Sequence, residues 1–193
     1  MNKLPVVLDL ETKYTLRDVN NNPKKLGITV VGLFDYRDNK TKIFDEKELT
    51  KLFSLLEASS YIIGFNVGSF DMAVLQAYYP GNIQHFPTFD LLDDIKSKIG
   101  KRLSLNDFLI ATLGKKKTGH GLQAIELYKE GKMDELKKYC LDDVMLTKEL
   151  FEYGSEKGEV MYLNEKGKVT VKVEWKKYLE DPGKSESHLT LPF

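Results

Sequence analysis

The 193-residue chain predicts an α/β fold built on a mixed β-sheet. Two observations carry this expectation. The chain opens with runs rich in β-branched and aromatic residues that are too short for helices, at Val6 to Leu10 and Ile28 to Tyr36, and from Glu46 onward helical and strand patterns alternate. Asp38-Asn39 marks a turn from the second run into a third around Thr41 to Phe44, so the first three strands form an antiparallel meander.

The remaining elements follow in order. From Glu46 to Ala58, Leu49, Leu52, Phe53, Leu55 and Leu56 recur at helical spacing; a short apolar strand comes next, Tyr61 to Phe65, and then a second helical pattern from Phe70 to Tyr79. Asp90 to Gly154 reads as mostly helical, broken at Gly100, between Gly114 and Gly121, and at Gly131, with a last helix from Met133 to about Tyr153. After Gly158 the period changes to two. Val169, Val171, Val173 and Trp175 alternate with charged or polar neighbours, and Asn164 to Gly167 supplies a turn, so a terminal hairpin is expected. These patterns divide the chain into a main domain over 1–155, a hairpin appendage over 156–180 and a polar tail over 181–193.

Lysine plus arginine equals aspartate plus glutamate at 29 each, so no overall basic field marks a polyanion-coating protein. An enzyme that holds a polyanion through bound cations remains compatible. The single cysteine, Cys140, excludes an intramolecular disulfide and fits a reducing compartment. No apolar run approaches the length of about 18 residues that spans a bilayer, and no export signal opens the chain. A cytoplasmic protein with no membrane partner is expected.

Three motifs place acids in or beside apolar segments, where a carboxylate is costly unless something neutralises it: LDLET at Leu8 to Thr12, GFNVGSFD at Gly64 to Asp71 and YCLDD at Tyr139 to Asp143. In a strand, Asp9 and Glu11 project to the same face with α-carbons about 6.5 to 7 Å apart, close enough to share a cation. Asp71 falls in the first turn of a helix, where capping explains it as well as a ligand role does, and Asn66 stands at the carboxyl end of a strand, where α/β folds bind ligands. In the last helix a buried stripe runs through Leu136, Tyr139, Cys140, Leu146, Thr147 and Leu150, and Asp143 lies within it, whereas Asp142 shares a solvated face with Glu135, Lys138 and Glu149. Tyr139 precedes Asp143 by four residues, which stacks phenol and carboxylate on one face. Asp90, in PTFDLL, reads as a helix cap. The three histidines, His85, His120 and His188, show no metal-binding spacing.

The order LDLE, FNxxxFD, YxxxD resembles the superfamily of 3′-to-5′ exonucleases that use three aspartates and a glutamate, in the branch with tyrosine as the fifth residue. The stretch SLNDFLIATLGKKKTGHGLQAIELYKEGKMDELKKYCLDDVMLT, from Ser104, is similar to the exonuclease domains of family B polymerases that occur as free-standing proteins. The resemblance covers about residues 4 to 155 and implies a ribonuclease-H-like fold, with the first three strands antiparallel and helices on both sides of the sheet. It implies that Asp9, Glu11 and Asp143 hold a first divalent cation, that Asp9 also binds a second on which Asp71 acts, and that Tyr139 orients the attacking water. Two cations flanking a phosphodiester serve such hydrolysis, and carboxylate ligands suit Mg2+ or Mn2+ rather than zinc. Leu10, Thr12, Asn66 and Phe70 would line the groove for the terminal nucleotide, although Phe70 also reads as a core residue.

The expected substrate is the 3′ end of single-stranded DNA. RNA is the alternative within the same chemistry, and an inactive nucleic-acid-binding subunit the alternative outside it. Lys115, Lys116 and Lys117 form the most basic loop, a solvated turn or a guide for the strand, with Lys117 as the candidate contact. The last six residues, HLTLPF, resemble the peptide that docks bacterial replication enzymes on the sliding clamp, through Leu189, Leu191 and Phe193.

Overall fold

A computed structural model describes residues 3–119 and 122–180. The expected meander is present as β1 (Val6–Thr12), β2 (Ile28–Asp35) and β3 (Lys40–Asp45), paired antiparallel. Two short strands, β4 (Ile62–Gly64) and β5 (Thr88–Asp90), extend the sheet in parallel, giving the order β3-β2-β1-β4-β5. β5 has no counterpart in the sequence pattern, because three residues carry no period, and the helical region expected from Asp90 begins at Leu91.

The helices are α1 (Leu49–Glu57), α2 (Asp71–Leu75), α3 (Leu91–Ile99), α4 (Leu105–Leu113), α5 (Gln123–Lys129) and α6 (Met133–Lys157). α1 is shorter than its pattern, since Glu46–Glu48 forms a 3₁₀ turn capped by the Asp45 carboxylate before the helix begins. α2 likewise stops after five residues and continues as tight turns to Tyr79. α6 runs one turn beyond expectation and ends where Gly158 takes the left-handed conformation. The C-terminal hairpin is β6 (Glu159–Asn164) with β7 (Gly167–Lys172).

Alternation along β1 builds two cores. Leu8 and Leu10 point into an apolar cluster with α1 and α2, while Val7 on the other face joins α3, α4 and α6. The hairpin closes that second cluster: Val160, Val171 and Val173 are buried in it, and Trp175 stacks on Phe151 and donates its indole N–H to Asp94 at 2.8 Å. A β-carbon on Gly154 would meet the Trp175 ring at 2.2 Å, so the glycine is what lets the indole lie on α6. Asp9 and Glu11 share the Val7 face, beneath α6, near the carboxyl end of β1. Among the described residues no helix is long and apolar enough to cross a membrane. Leu189, Leu191 and Phe193 lie outside the described residues.

Candidate metal centre

Four acids from three elements meet where β4 ends and β1 continues. β1 and β4 pair only through Val6 and Val7, and the chain turns away at Gly64, where a β-carbon would come within 2.6 Å of Val67 and 2.9 Å of the Leu8 carbonyl. The departure leaves β1 amides without a strand partner. Asp71, carried in by α2, accepts the Leu10 N–H at 3.0 Å and is buried. Its carboxylate thus reaches across to β1 from the first residue of α2. Burial, and then the Asp9 charge, push its pKa well above the usual carboxylate range.

α6 brings the third motif. Gly32 pairs with Asp9 across β1 and β2, and a β-carbon there would meet Cys140 Sγ at 2.9 Å and Val144 at 3.0 Å. The missing side chain lets α6 settle on the sheet, which sets Tyr139 and Asp143 over Asp9 and Glu11. The buried stripe is close to the expected one, with Val144 buried where Leu146 is only half-buried. Asp142 pairs with Lys138 at 2.6 Å on the outer face, as its position requires.

The electrostatics of this cluster are unusual. Asp9 is pushed up to about 7 by burial and by Asp143, with Lys117 pulling the other way. Glu11 is raised well above its usual value by burial, then by Asp9 and Asp143, and Asp143 is raised by burial despite Lys117. Tyr139, buried and beside Asp143, is pushed up to about 12. Cys140 Sγ lies within 4.8 Å of ligand atoms of Asp9 and Glu11, but its thiol donates to the Asp9 carbonyl at 3.6 Å and burial raises its pKa well above normal. The thiol is engaged by that carbonyl, and the remaining candidate donors are carboxylate oxygens. Hard oxygen donors gathered in a buried cluster, where an added cation would offset both their burial and their mutual repulsion, fit Mg2+ or Mn2+.

The other candidates occupy distinct places. Lys117 Nζ sits 2.6 Å from Asp143 Oδ2, inside the cluster, while Lys115 pairs with Glu149 and Lys116 is exposed. The basic loop is therefore split, with two of its lysines engaged by acids of α6. Thr12 is buried, its hydroxyl donating to the Tyr14 carbonyl at 2.9 Å, and Leu10 contributes its amide to Asp71 while its side chain packs in the first core. Phe70 is half-buried against that same core. Asn66 adopts the left-handed conformation (φ 69°), and its side-chain oxygen accepts the Ser69 hydroxyl at 2.8 Å.

Two supporting residues escaped sequence reading. Asp90 does cap α3 through Leu92 N at 3.0 Å, but it also accepts Asn66 N at 2.8 Å and Gly68 N at 2.9 Å, which ties the second motif's loop to β5. Gly32 was the other, and a lone glycine inside the β-branched run ITVVGLFD was the signal for it. Phe65, Asn66, Arg102, Asn106 and Lys117 line a cleft of about 490 Å³ that reaches the cluster through Lys117.

Comparison with known proteins identifies the superfamily and the fold. The sequence profile of the RNase H superfamily matches residues 6–154, and the chain belongs to that superfamily. Among solved structures, the family B DNA polymerase from the hyperthermophilic archaeon Pyrobaculum calidifontis is similar in fold, with a TM-score of 0.58 and 15% identity over 80% of this chain and 25% of that one. A chain of an ExoI/SSB-Ct complex gives 0.45 and 15% over 81% of this chain and 42% of its own length. The protein thus spans a quarter of the polymerase and under half of the second chain. No curated protein matches.

The raised carboxylates set a pH dependence in the metal-free protein. Asp9 titrates near 7 in the folded state against 3.8 ordinarily, so the folded state binds the extra proton between those values. Its contribution to stability is full below about pH 4 and is lost as pH rises through about 7. In a chelating buffer the thermal midpoint should fall across that window, and Asp9→Asn should flatten the fall. A midpoint of Asp9→Asn that tracks wild type across the whole range would contradict the assignment.

Proposed function

We propose that the protein is a divalent-cation-dependent 3′-to-5′ exonuclease of the tyrosine type, releasing mononucleotides from the 3′ end of single-stranded DNA. The convergence of Asp9 and Glu11 from β1, Asp71 from α2 and Asp143 with Tyr139 from α6 carries this reading. Membership of the RNase H superfamily supports phosphodiester hydrolysis as the chemistry. Direction and tyrosine-type assignment rest on the order of the three motifs.

Asp9, Glu11 and Asp143 would hold the first cation, and Asp9 with Asp71 the second. Bound there, the pair supplies an activated water and stabilises the departing 3′ oxygen. The protein's own groups do the rest. With its pKa pushed up to about 12, the Tyr139 phenol keeps its proton at neutral pH and acts by orienting water through hydrogen bonds rather than by taking a proton. Thr12, Leu10, Asn66 and Phe70 border the place where a terminal nucleotide would lie. The cleft past Asn66 offers an aromatic ring, Phe65, and two cations, Arg102 and Lys117, the combination that holds a single strand by stacking and phosphate contact.

End-labelled DNA and RNA oligonucleotides, single-stranded and duplex, incubated with Mg2+ or Mn2+, test the reading. Stepwise shortening from the 3′ end of single-stranded DNA is expected. Faster trimming of RNA would change the substrate, and binding without cleavage would make the protein an inactive nucleic-acid-binding subunit. Asp9→Ala and Asp143→Ala should abolish hydrolysis while remaining folded, and Asp142→Ala should retain it; the reverse ranking of the two neighbouring aspartates would mean that the wrong face of α6 meets the substrate. Tyr139→Phe keeps the ring's packing and loses the hydroxyl, so turnover should drop by about 10²- to 10⁴-fold. Wild-type turnover in that variant would reduce Tyr139 to a core residue.

A further inference from the structure

Lys117 has two surroundings at once. Its ammonium lies 2.6 Å from Asp143 Oδ2 and also feels Asp9 and Tyr139, while the same residue forms part of the wall of the cleft with Asn66, Arg102 and Asn106. Its backbone is anchored, since the Lys117 N–H donates to Asn106 Oδ1 on α4 at 3.1 Å. From that anchored backbone, the four-carbon lysine stem is flexible enough to carry the ammonium between the two surroundings. It is one-quarter exposed, whereas Asp143 is nearly covered.

A divalent cation on Asp9, Glu11 and Asp143 needs the carboxylate oxygen that the ammonium holds. Two positive groups cannot share that oxygen at contact distance in a site shielded from water without strong repulsion. The carboxylates also need a counter-charge when no cation is bound, and Lys117 is the ammonium that contacts one of them among the described residues.

We propose that Lys117 is a displaceable counter-ion, which neutralises the carboxylates in the metal-free protein, is expelled from Asp143 by the first divalent cation, and is thereby delivered into the Asn66–Arg102–Asn106 cleft as a contact for a strand phosphate. Cation loading and strand binding are then coupled through one side chain. The first half depends only on the carboxylate cluster; the second rests on the nuclease reading above.

Calorimetric titration of Mn2+ into wild type, Lys117→Met, Lys117→Arg and Lys116→Met at pH 8 tests the displacement. Lys117→Met should bind the ion about tenfold more tightly, because the competing charge is gone, and should melt at lower temperature in chelator. Lys117→Arg keeps the charge and should bind like wild type, as should Lys116→Met, whose exposed side chain is outside the cluster. Unchanged or weaker Mn2+ binding by Lys117→Met, or equal tightening in Lys117→Arg or Lys116→Met, overturns the proposal.

The coupling is read from fluorescence-anisotropy titration of a single-stranded oligonucleotide with and without Ca2+. Wild type should bind more tightly with the ion, and Lys117→Met should lose most of that gain; an undiminished gain in Lys117→Met overturns the coupling. No binding by wild type under either condition would overturn the nuclease reading and the coupling with it, leaving the Mn2+ titration to decide displacement alone.

Discussion

The burial of several neighbouring carboxylates inside a packed interface is the constraint around which this molecule is arranged. Burial raises the pKa of Asp9, Glu11, Asp71 and Asp143 alike, and the charge of neighbouring acids adds to it. A fold keeps such a set together only if apolar packing elsewhere exceeds the cost. Here the packing is on β1 itself. One face of the strand anchors the core with α1 and α2 through Leu8 and Leu10, and the other carries Val7 into the core with α4 and α6, so the acid-bearing residues cannot move apart without disturbing both.

The details around the cluster follow from the need to bring helix and strand unusually close. Gly32 removes the side chain that would keep α6 off the sheet, and Gly64 removes the one that would clash where β4 leaves β1. The departure exposes the Leu10 amide, and Asp71 satisfies it, so one hydrogen bond both completes the strand and positions a candidate ligand. Asp90 does similar double duty from β5, capping α3 while holding the amides of Asn66 and Gly68. Position and chemistry are therefore not separable here: the groups that place the acids are backbone amides and absent side chains.

Much of this was legible in the sequence because it is periodic. Asp9 and Glu11 follow the alternation of β1, and Asp143 falls on the apolar stripe of α6 with Tyr139 one turn before it, so the carboxylate face of each element could be drawn from spacing. What escaped has no period. β5 is three residues long, α2 only five, and the part played by Asp90 depends on a loop 22 to 24 residues away in sequence. Lys117 could be identified as a cation but not placed, since a loop between two helices gives no direction to its side chains, and only the folded chain shows that Lys115 turns to Glu149 and Lys117 to Asp143.

The account stands on these acids forming a cation site. Crystals of the protein soaked in Mn2+ and measured at the manganese absorption edge address that directly. The account predicts an anomalous peak bounded by Asp9, Glu11 and Asp143, with a second between Asp9 and Asp71 when a nucleotide is present, and Lys117 Nζ withdrawn from Asp143. Full-occupancy manganese elsewhere on the protein, with Lys117 still paired to Asp143 and no density among the four carboxylates, would contradict it.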